Sequence, residues 1–288
     1  MTTVPSSTQR LRALLREPKL HLMPCCFDAL SAQLIEQAGF ALTFMSGFAV
    51  SATRIGRPDT GVISYAEMLD QGLNICQAVS IPVIGDGDTG YGNPINVKRT
   101  VCGYARAGFA AVMIEDQVLP KRCGHTLGRQ IVGRTEALTR LRAAVDAREE
   151  GADILILART DACGVEGFDE ALWRMQAFED LGADILFLEA PTSVEQMRLF
   201  CDSTKVPTMA NLVEGGKTPV LPPSELEQLG YRIAAYPLTL LNASVYAMQQ
   251  ALRSIERGAP ARDLLSFRDL QQVVGFDRYD AEQKRYSE

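Results

Sequence analysis

The sequence predicts an α/β fold, a (β/α)8 barrel of the TIM type. Three observations predict it: a recurring phrase in which a helical stretch ends on Gly and a short apolar run follows, the absence of strict apolar/polar alternation within those runs, and a polar residue closing each of them. Runs without alternation are expected of strands buried on both faces. Eight of them separated by helices favour a closed barrel over a doubly wound sheet.

In chain order the runs are Leu20-His21-Leu22-Met23-Pro24, Ala41-Leu42-Thr43-Phe44-Met45, Ile81-Pro82-Val83-Ile84-Gly85-Asp86, Phe109 to Ile114, Ile154 to Ala158, Ile185 to Leu188, Val206 to Ala210 and Tyr231 to Tyr236. Helix formers with apolar residues at three- and four-residue spacing occupy 96–106, 135–150, 168–181 and 193–201. Gly39, Gly108, Gly151 and Gly182 stand where helices need a left-handed C-terminal residue. His21, inside an apolar run, reads as structural. The barrel is expected to occupy 1–258, with a charged helical tail over 259–288 that packs on the barrel or on a partner subunit.

The bulk composition narrows the function classes. The chain has 288 residues, a net charge of −6, 47% hydrophobic and 22% charged residues, as in an ordinary globular enzyme. Its basic residues are scattered, which argues against nucleic-acid binding. No apolar run reaches membrane-span length, and the polar stretch Met1 to Arg10 lacks a signal-peptide core. Seven cysteines without paired spacing indicate reduced thiols in a cytoplasmic protein.

In a barrel of this kind the active site lies at the C-terminal strand ends. Those ends carry Ser46-Gly47, Asp86-Gly87-Asp88, Glu115-Asp116, Arg159-Thr160-Asp161, Glu189, Asn211 and Pro237. Several carboxylates gathered in one ring need a cation, and an all-oxygen donor set suits Mg2+ or Mn2+. Ser46-Gly47 is either a plain turn or a backbone cradle for an anion. Arg159 is either an ion-pair partner of these acids or a fork that captures a substrate carboxylate. Asp59 reads as a turn residue, and Asp116 and Asp161 as groups that orient their neighbours. The segment Lys121-Arg122-Cys123-Gly124-His125 lacks apolar periodicity and reads as a lid. Its cations are expected to lower the Cys123 pKa and ready that thiol for proton transfer. Together these parts suit a metal-dependent enzyme working through an enolate of a 2-oxo or 2-hydroxy acid, its partner being a small carboxylate.

From about Leu22 to Ala251 the chain resembles the isocitrate lyase/phosphoenolpyruvate mutase superfamily. The resemblance rests on Met45-Ser46-Gly47, Gly85-Asp86-Gly87-Asp88-Thr89-Gly90-Tyr91-Gly92, Ile114-Glu115-Asp116-Gln117, Lys121-Arg122-Cys123-Gly124-His125, Ala158-Arg159-Thr160-Asp161 and Asn211 to Pro219. The Cys-Gly-His triplet points to the lyase branch of methylisocitrate and 2,3-dimethylmalate lyases. Phe44 stands where isocitrate and methylisocitrate lyases generally carry Tyr. With Val213-Glu214-Gly215-Gly216-Lys217 it resembles the substituted-malate lyases, oxaloacetate-cleaving relatives and carboxyphosphonoenolpyruvate mutase, whereas Val165-Glu166-Gly167 resembles methylisocitrate lyases.

The resemblance implies a barrel whose eighth helix is exchanged between subunits of a homo-oligomer, a dimer of dimers. It implies Mg2+ held directly by Asp86, with Asp59, Asp88 and Glu115 acting largely through water, which replaces the turn reading of Asp59. It also implies a substrate carboxylate held by Ser46, the amides of Gly47 and Phe48, and Arg159. Cys123 would be the general acid, placed by Gly124 and His125, with Glu189, Asn211 and Pro237 toward the other end of the substrate. The expected reaction is cleavage of a 2-hydroxy di- or tricarboxylate to a 2-oxo acid and a carboxylate. The alternatives are P–C bond formation of the mutase type and hydrolysis of oxaloacetate.

Overall fold

Eight parallel strands form the centre of the computed structural model, which describes residues 5–126 and 128–287. Residues 1–4 of the polar N-terminus, Leu127 of the lid segment and Glu288 of the tail lie outside the described residues. The strands are β1 (His21–Cys26), β2 (Thr43–Met45), β3 (Val83–Asp86), β4 (Ala111–Glu115), β5 (Leu155–Thr160), β6 (Ile185–Leu188), β7 (Met209–Asn211) and β8 (Ile233–Tyr236). They run in the order β6-β5-β4-β3-β2-β1-β8-β7. A parallel bridge between Leu186 and Thr208, with Leu186 N–H donating to Pro207 O at 3.0 Å, joins the two ends into a nearly closed barrel. All eight expected runs are strands of this barrel.

Helices surround them: α1 (Ser7–Arg16), α2 (Ala29–Gln37), α3 (Gly47–Arg54), α4 (Tyr65–Ala78), α5 (Pro94–Ala107), α6 (Arg134–Glu149), α7 (Phe168–Asp180), α8 (Val194–Asp202) and α9 (Pro223–Leu229). Capping explains where several begin. Ser6, Asp28, Ser64 and Asn93 each accept a backbone N–H three residues on and receive a reciprocal side-chain bond, so two otherwise orphaned donors are satisfied at each helix start. The expected C-terminal glycines have φ of 85° (Gly39), 99° (Gly108), 114° (Gly151) and 99° (Gly182), a region that a side chain disfavours.

The barrel interior is filled by Met23, Cys25, Phe44, Ile84, Ala111, Met113, Leu155, Leu157, Ile185, Phe187, Met209, Ile233 and Ala235. It is a packed core with no room for a channel. Leu11, Leu14 and Leu15 of α1 pack against the same cluster. His21, as expected, is structural: it is buried, and its Nε2 lies 2.9 Å from Leu14 O, which ties β1 to α1.

The chain divides into two compact units, residues 1–240 and 241–288. The second contains most of α10 (Thr239–Glu256), then α11 (Phe267–Val274) and α12 (Phe276–Lys284). Ser266 caps α11, and Gly275 at φ 93° separates it from α12, so the helical tail is two short helices. None of the residues of α10 is buried. Among the described residues no helix is long and apolar enough to cross a membrane.

Candidate active site

A cavity of about 60 Å3 opens within the first unit, lined by Ser46, Phe48, Asp59, Asp86, Cys123, Gly124, His125, Arg159, Glu189, Asn211 and Pro237 among others. That is roughly four to six times what one water needs, enough for a compact organic acid and far too little for a nucleotide. Phe44, Met113, Phe187, Met209, Val213 and Leu238 supply an apolar wall. Gly47, Asp88 and Glu115, also expected at the site, do not line the cavity but bond to or pair with residues that do, directly or through Lys121.

The strand ends explain how distant residues meet. Ser46 follows β2 and caps α3, accepting Ala49 N–H at 3.4 Å, so Ser46-Gly47 is a helix start and not a plain turn. The first N–H of α3, that of Gly47, donates to Asp86 Oδ2 at 3.1 Å, and Asp88 N–H donates to Asp86 Oδ1 at 3.0 Å. The Asp86 carboxylate is thereby fixed in orientation. A Cβ on Gly47 would fall within 3.0 Å of Asp86 Cγ, which is why the close approach needs glycine.

Lys121 reaches back into the barrel and is buried. Its Nζ lies 2.5 Å from Asp59 Oδ1 and 2.8 Å from Asp88 Oδ1. Burial would lower the pKa of this ammonium, but Asp88, Asp59, Asp86 and Glu115 outweigh it and raise the value. Burial pushes Asp88 up to about 7 despite Lys121, because Asp86 and Asp59 oppose its charge. Glu115 is likewise raised by burial, only partly countered by Arg159. Its Oε1 is buried without a hydrogen-bond partner.

Four carboxylates, those of Asp59, Asp86, Asp88 and Glu115, thus share one ammonium and the edge of one guanidinium. The excess negative charge, the all-oxygen donors and the orphaned Glu115 oxygen fit a hard divalent cation. Among the described residues no three His, Cys, Asp or Glu side chains are already gathered at ligand spacing, and Lys121 holds two of the acids.

Arg159 faces Glu115 across the β4–β5 register. Asp161 grips it through Nε to Oδ2 at 2.8 Å and Nη2 to Oδ1 at 3.0 Å. Glu115 Oε2 and Glu189 Oε2 each lie 3.3 Å from the guanidinium. Burial would lower the Arg159 pKa, but Asp161, Glu115 and Glu189 raise it further. Burial would raise Glu189, but Arg159 and the hydrogen bond with His125 hold it at about 2. Asn211 Nδ2 donates to Glu189 Oε2 at 3.1 Å. Asp116 and Asp161 orient their neighbours as expected: Asp116 Oδ1 accepts Asp161 N–H at 2.9 Å.

Cys123 lies on the cavity wall, half-buried. The expected lowering of its pKa is overturned. Burial raises it and Asp59 adds to the rise, while Arg159 and a backbone bond at His125 counter only in part. The loop cation Lys121 is engaged with Asp59 and Asp88, so it does not serve the thiol. Gly124 sits against Arg159 and Glu189. His125 Nδ1 accepts Lys217 N–H at 3.2 Å, so the neutral ring carries its proton on Nε2, 3.0 Å from Glu189 Oε1.

The family model described as phosphoenolpyruvate phosphomutase matches residues 11–256. The chain belongs to the phosphoenolpyruvate mutase/isocitrate lyase superfamily. Within this superfamily its likeness is to the lyase branch. It is 39% identical over 286 residues to 2,3-dimethylmalate lyase of Eubacterium barkeri, covering 98% of this chain and 99% of that one. It is 39% identical over 285 residues to 2-methylisocitrate lyase of Aeropyrum pernix, covering 96% and 91%. Among solved structures, oxaloacetate acetylhydrolase with 3,3-difluorooxalacetate superposes with a TM-score of 0.94 at 33% identity, covering 98% of each chain. Phosphonopyruvate hydrolase with oxalate and Mg2+ superposes with a TM-score of 0.86 at 31% identity, covering 98% and 99%.

Several residues around the superfamily's barrel mouth escaped the sequence reading. Arg174 and Arg140 lie on the buried faces of α7 and α6, where an Arg interrupts an apolar stripe. That interruption is the signal that was readable. Arg174 Nη1 holds Asp116 Oδ2 at 3.0 Å, and Arg140 Nη1 donates to the carbonyls of Glu115 and Gln117, each at 2.8 Å. Gln117 braces the lid segment from both sides, donating to Arg122 O and accepting Arg122 N–H. Arg129 bonds to Asp161 at 2.8 Å, and no local pattern marks it.

Proposed function

We propose that the protein is a divalent-cation-dependent carbon–carbon lyase that cleaves a 2-hydroxy di- or tricarboxylate to a 2-oxo acid, such as pyruvate, and a carboxylate. The observation that carries the proposal is that the Cys123 thiol, whose pKa burial raises, lines one small cavity with Arg159, Asp86 and Asp59.

Arg159, with Ser46 and the start of α3, binds a substrate carboxylate. Asp161 pre-orients the Arg159 fork, so little freedom is lost on binding. Asp86, Asp59, Asp88 and Glu115 would hold Mg2+ or Mn2+, which supplies Lewis-acid stabilisation of charge at the 2-oxygen. The hydroxyl proton passes to Glu115 or to a water beside it, and the C2–C3 bond breaks as the 2-oxygen becomes a carbonyl. The Cys123 thiol then protonates the departing carbon, for which a raised pKa keeps the proton in place at neutral pH. Gly124 and His125 place the thiol by packing on Arg159 and Glu189, and Glu189, Asn211 and Pro237 bound the other end of the substrate. The lid segment excludes water from the carbanion.

The exposed apolar residues of α10, Val245, Met248, Leu252 and Ile255, support a homo-oligomer, a dimer of dimers in which this helix packs on another subunit. The free cysteines support a cytoplasmic setting.

The test is a panel of malate, 2-methylmalate, 2,3-dimethylmalate, isocitrate, methylisocitrate and oxaloacetate, with and without Mg2+. Release of a 2-oxo acid from a substituted malate or methylisocitrate supports the lyase. Oxalate and acetate from oxaloacetate alone would replace it with hydrolysis, and no 2-oxo acid from any hydroxy acid would remove it.

A further inference from the structure

We propose that Arg129 is a positioning residue: by neutralising Asp161 it keeps the positive charge of Arg159 available to an anionic substrate. The inference rests on the reading that Arg159 binds a substrate carboxylate.

Three carboxylates surround the Arg159 guanidinium, those of Asp161, Glu115 and Glu189. Asp161 is the dominant one, because it makes two short bonds to the fork and is fully buried. Left alone, these acids would outweigh the guanidinium and repel an incoming carboxylate. Arg129 Nη1 sits 2.8 Å from Asp161 Oδ1, the same oxygen that accepts Arg159 Nη2 at 3.0 Å. Its side chain is 2% exposed, where electrostatic effects are weakly screened. Glu189 accepts from Asn211 and faces His125 Nε2 at 3.0 Å, and the carboxylate behind Asp161, Asp116, is held by Arg174.

The site is shaped to receive Arg129. A Cβ at Gly164 would collide with its Nη2, so a side chain in the turn after β5 would push the Arg129 head from its place beside Asp161. Arg129 does not line the cavity, so it acts through Asp161, which it touches, and more weakly through Glu189. It also stands at the neck of the lid segment. Val118 N–H donates to Gln130 O at 2.9 Å, and Gln117 bridges Ile131. The segment that delivers Cys123 therefore also delivers the charge that frees Arg159.

The experiment uses the full chain with Mg2+ and reads equilibrium binding of oxalate, a dicarboxylate probe, together with KM and kcat on whichever panel acid is turned over. R129M should weaken oxalate binding and raise KM by roughly tenfold or more, with a smaller fall in kcat. R129K should recover most of the loss. The decisive arm is R129M in a D161N background: Asp161 also holds the Arg159 fork, so D161N alone is the reference, and with the Asp161 charge gone R129M should cost little further oxalate affinity, which a merely structural role for Arg129 would not produce. Should R129M fail to fold, R129Q carries the same comparison. Oxalate binding by R129M at the wild-type level, or a loss from R129M in the D161N background as large as the loss in the wild-type background, overturns the inference alone. A wild-type protein that neither binds oxalate nor turns over any panel acid removes the functional reading and this inference together.

Discussion

The Lys121 ammonium lies 2.8 Å from the Asp88 carboxylate, so the segment carrying the candidate proton donor is anchored in the acids that would hold the cation. Lid position and cluster charge are therefore linked through one ion pair. Lys121→Met removes the ammonium that faces Asp59 and Asp88. Breaking a buried pair in this way costs about 3–5 kcal/mol. Thermal melts should show that deficit in metal-free protein and a smaller one in millimolar Mg2+, because the cation restores the missing charge. A deficit indifferent to Mg2+ would separate Lys121 from the cation site.

Cys123→Ser should lower kcat by roughly 10²–10⁴-fold, the usual contribution of a positioned proton donor. Oxalate affinity should stay near wild type, since the thiol is not among the carboxylate-binding groups. Because burial raises the thiol pKa, alkylation by iodoacetamide should be slow at neutral pH and accelerate only above pH 9. Rapid alkylation at neutral pH would contradict the assigned protonation state.

A methyl group at Gly124 would stand 2.5 Å from Arg159 Nη2 and 2.7 Å from Glu189 Cδ. Both neighbours are buried and ion-paired, so neither yields cheaply. Gly124→Ala should therefore hold the segment away from the barrel mouth. Activity is expected to fall at least about tenfold and the melting temperature to drop, because Gly124 is buried and its segment is anchored by the buried Lys121. Unchanged kinetics would show that the close packing of Gly124 is dispensable.

Glu189 is held at about 2, below an unfolded value near 4.5. A depressed acid stabilises the fold above its unfolded pKa and loses that contribution as pH falls through the folded pKa. The contribution is on the order of 3 kcal/mol at neutral pH. Wild type should exceed Glu189→Gln in stability from pH 5 to 7, and the gap should close between about pH 4.5 and pH 2. Denaturant melts across that range measure it; a gap independent of pH would assign the loss to packing.

The eight strands and the C-terminal glycines were legible from the sequence because their causes are local. A run buried on both faces needs apolar residues throughout, and a left-handed helix end needs Gly whatever surrounds it. The strand-end rule likewise located Asp86, Glu115, Arg159 and Glu189, since barrel topology carries each strand end to one rim. What local pattern could not express was which charge meets which. Lys121 was read as a neighbour of Cys123, but it crosses to Asp59 and Asp88. Burial, with Asp59 nearby, raises the thiol pKa where adjacent cations suggested a fall. Arg129 meets Asp161, and His125 meets Glu189, across 32 and 64 positions of chain. Such pairings depend on a closed barrel and a folded-over segment, whose low-dielectric interior makes each buried charge answerable to every other.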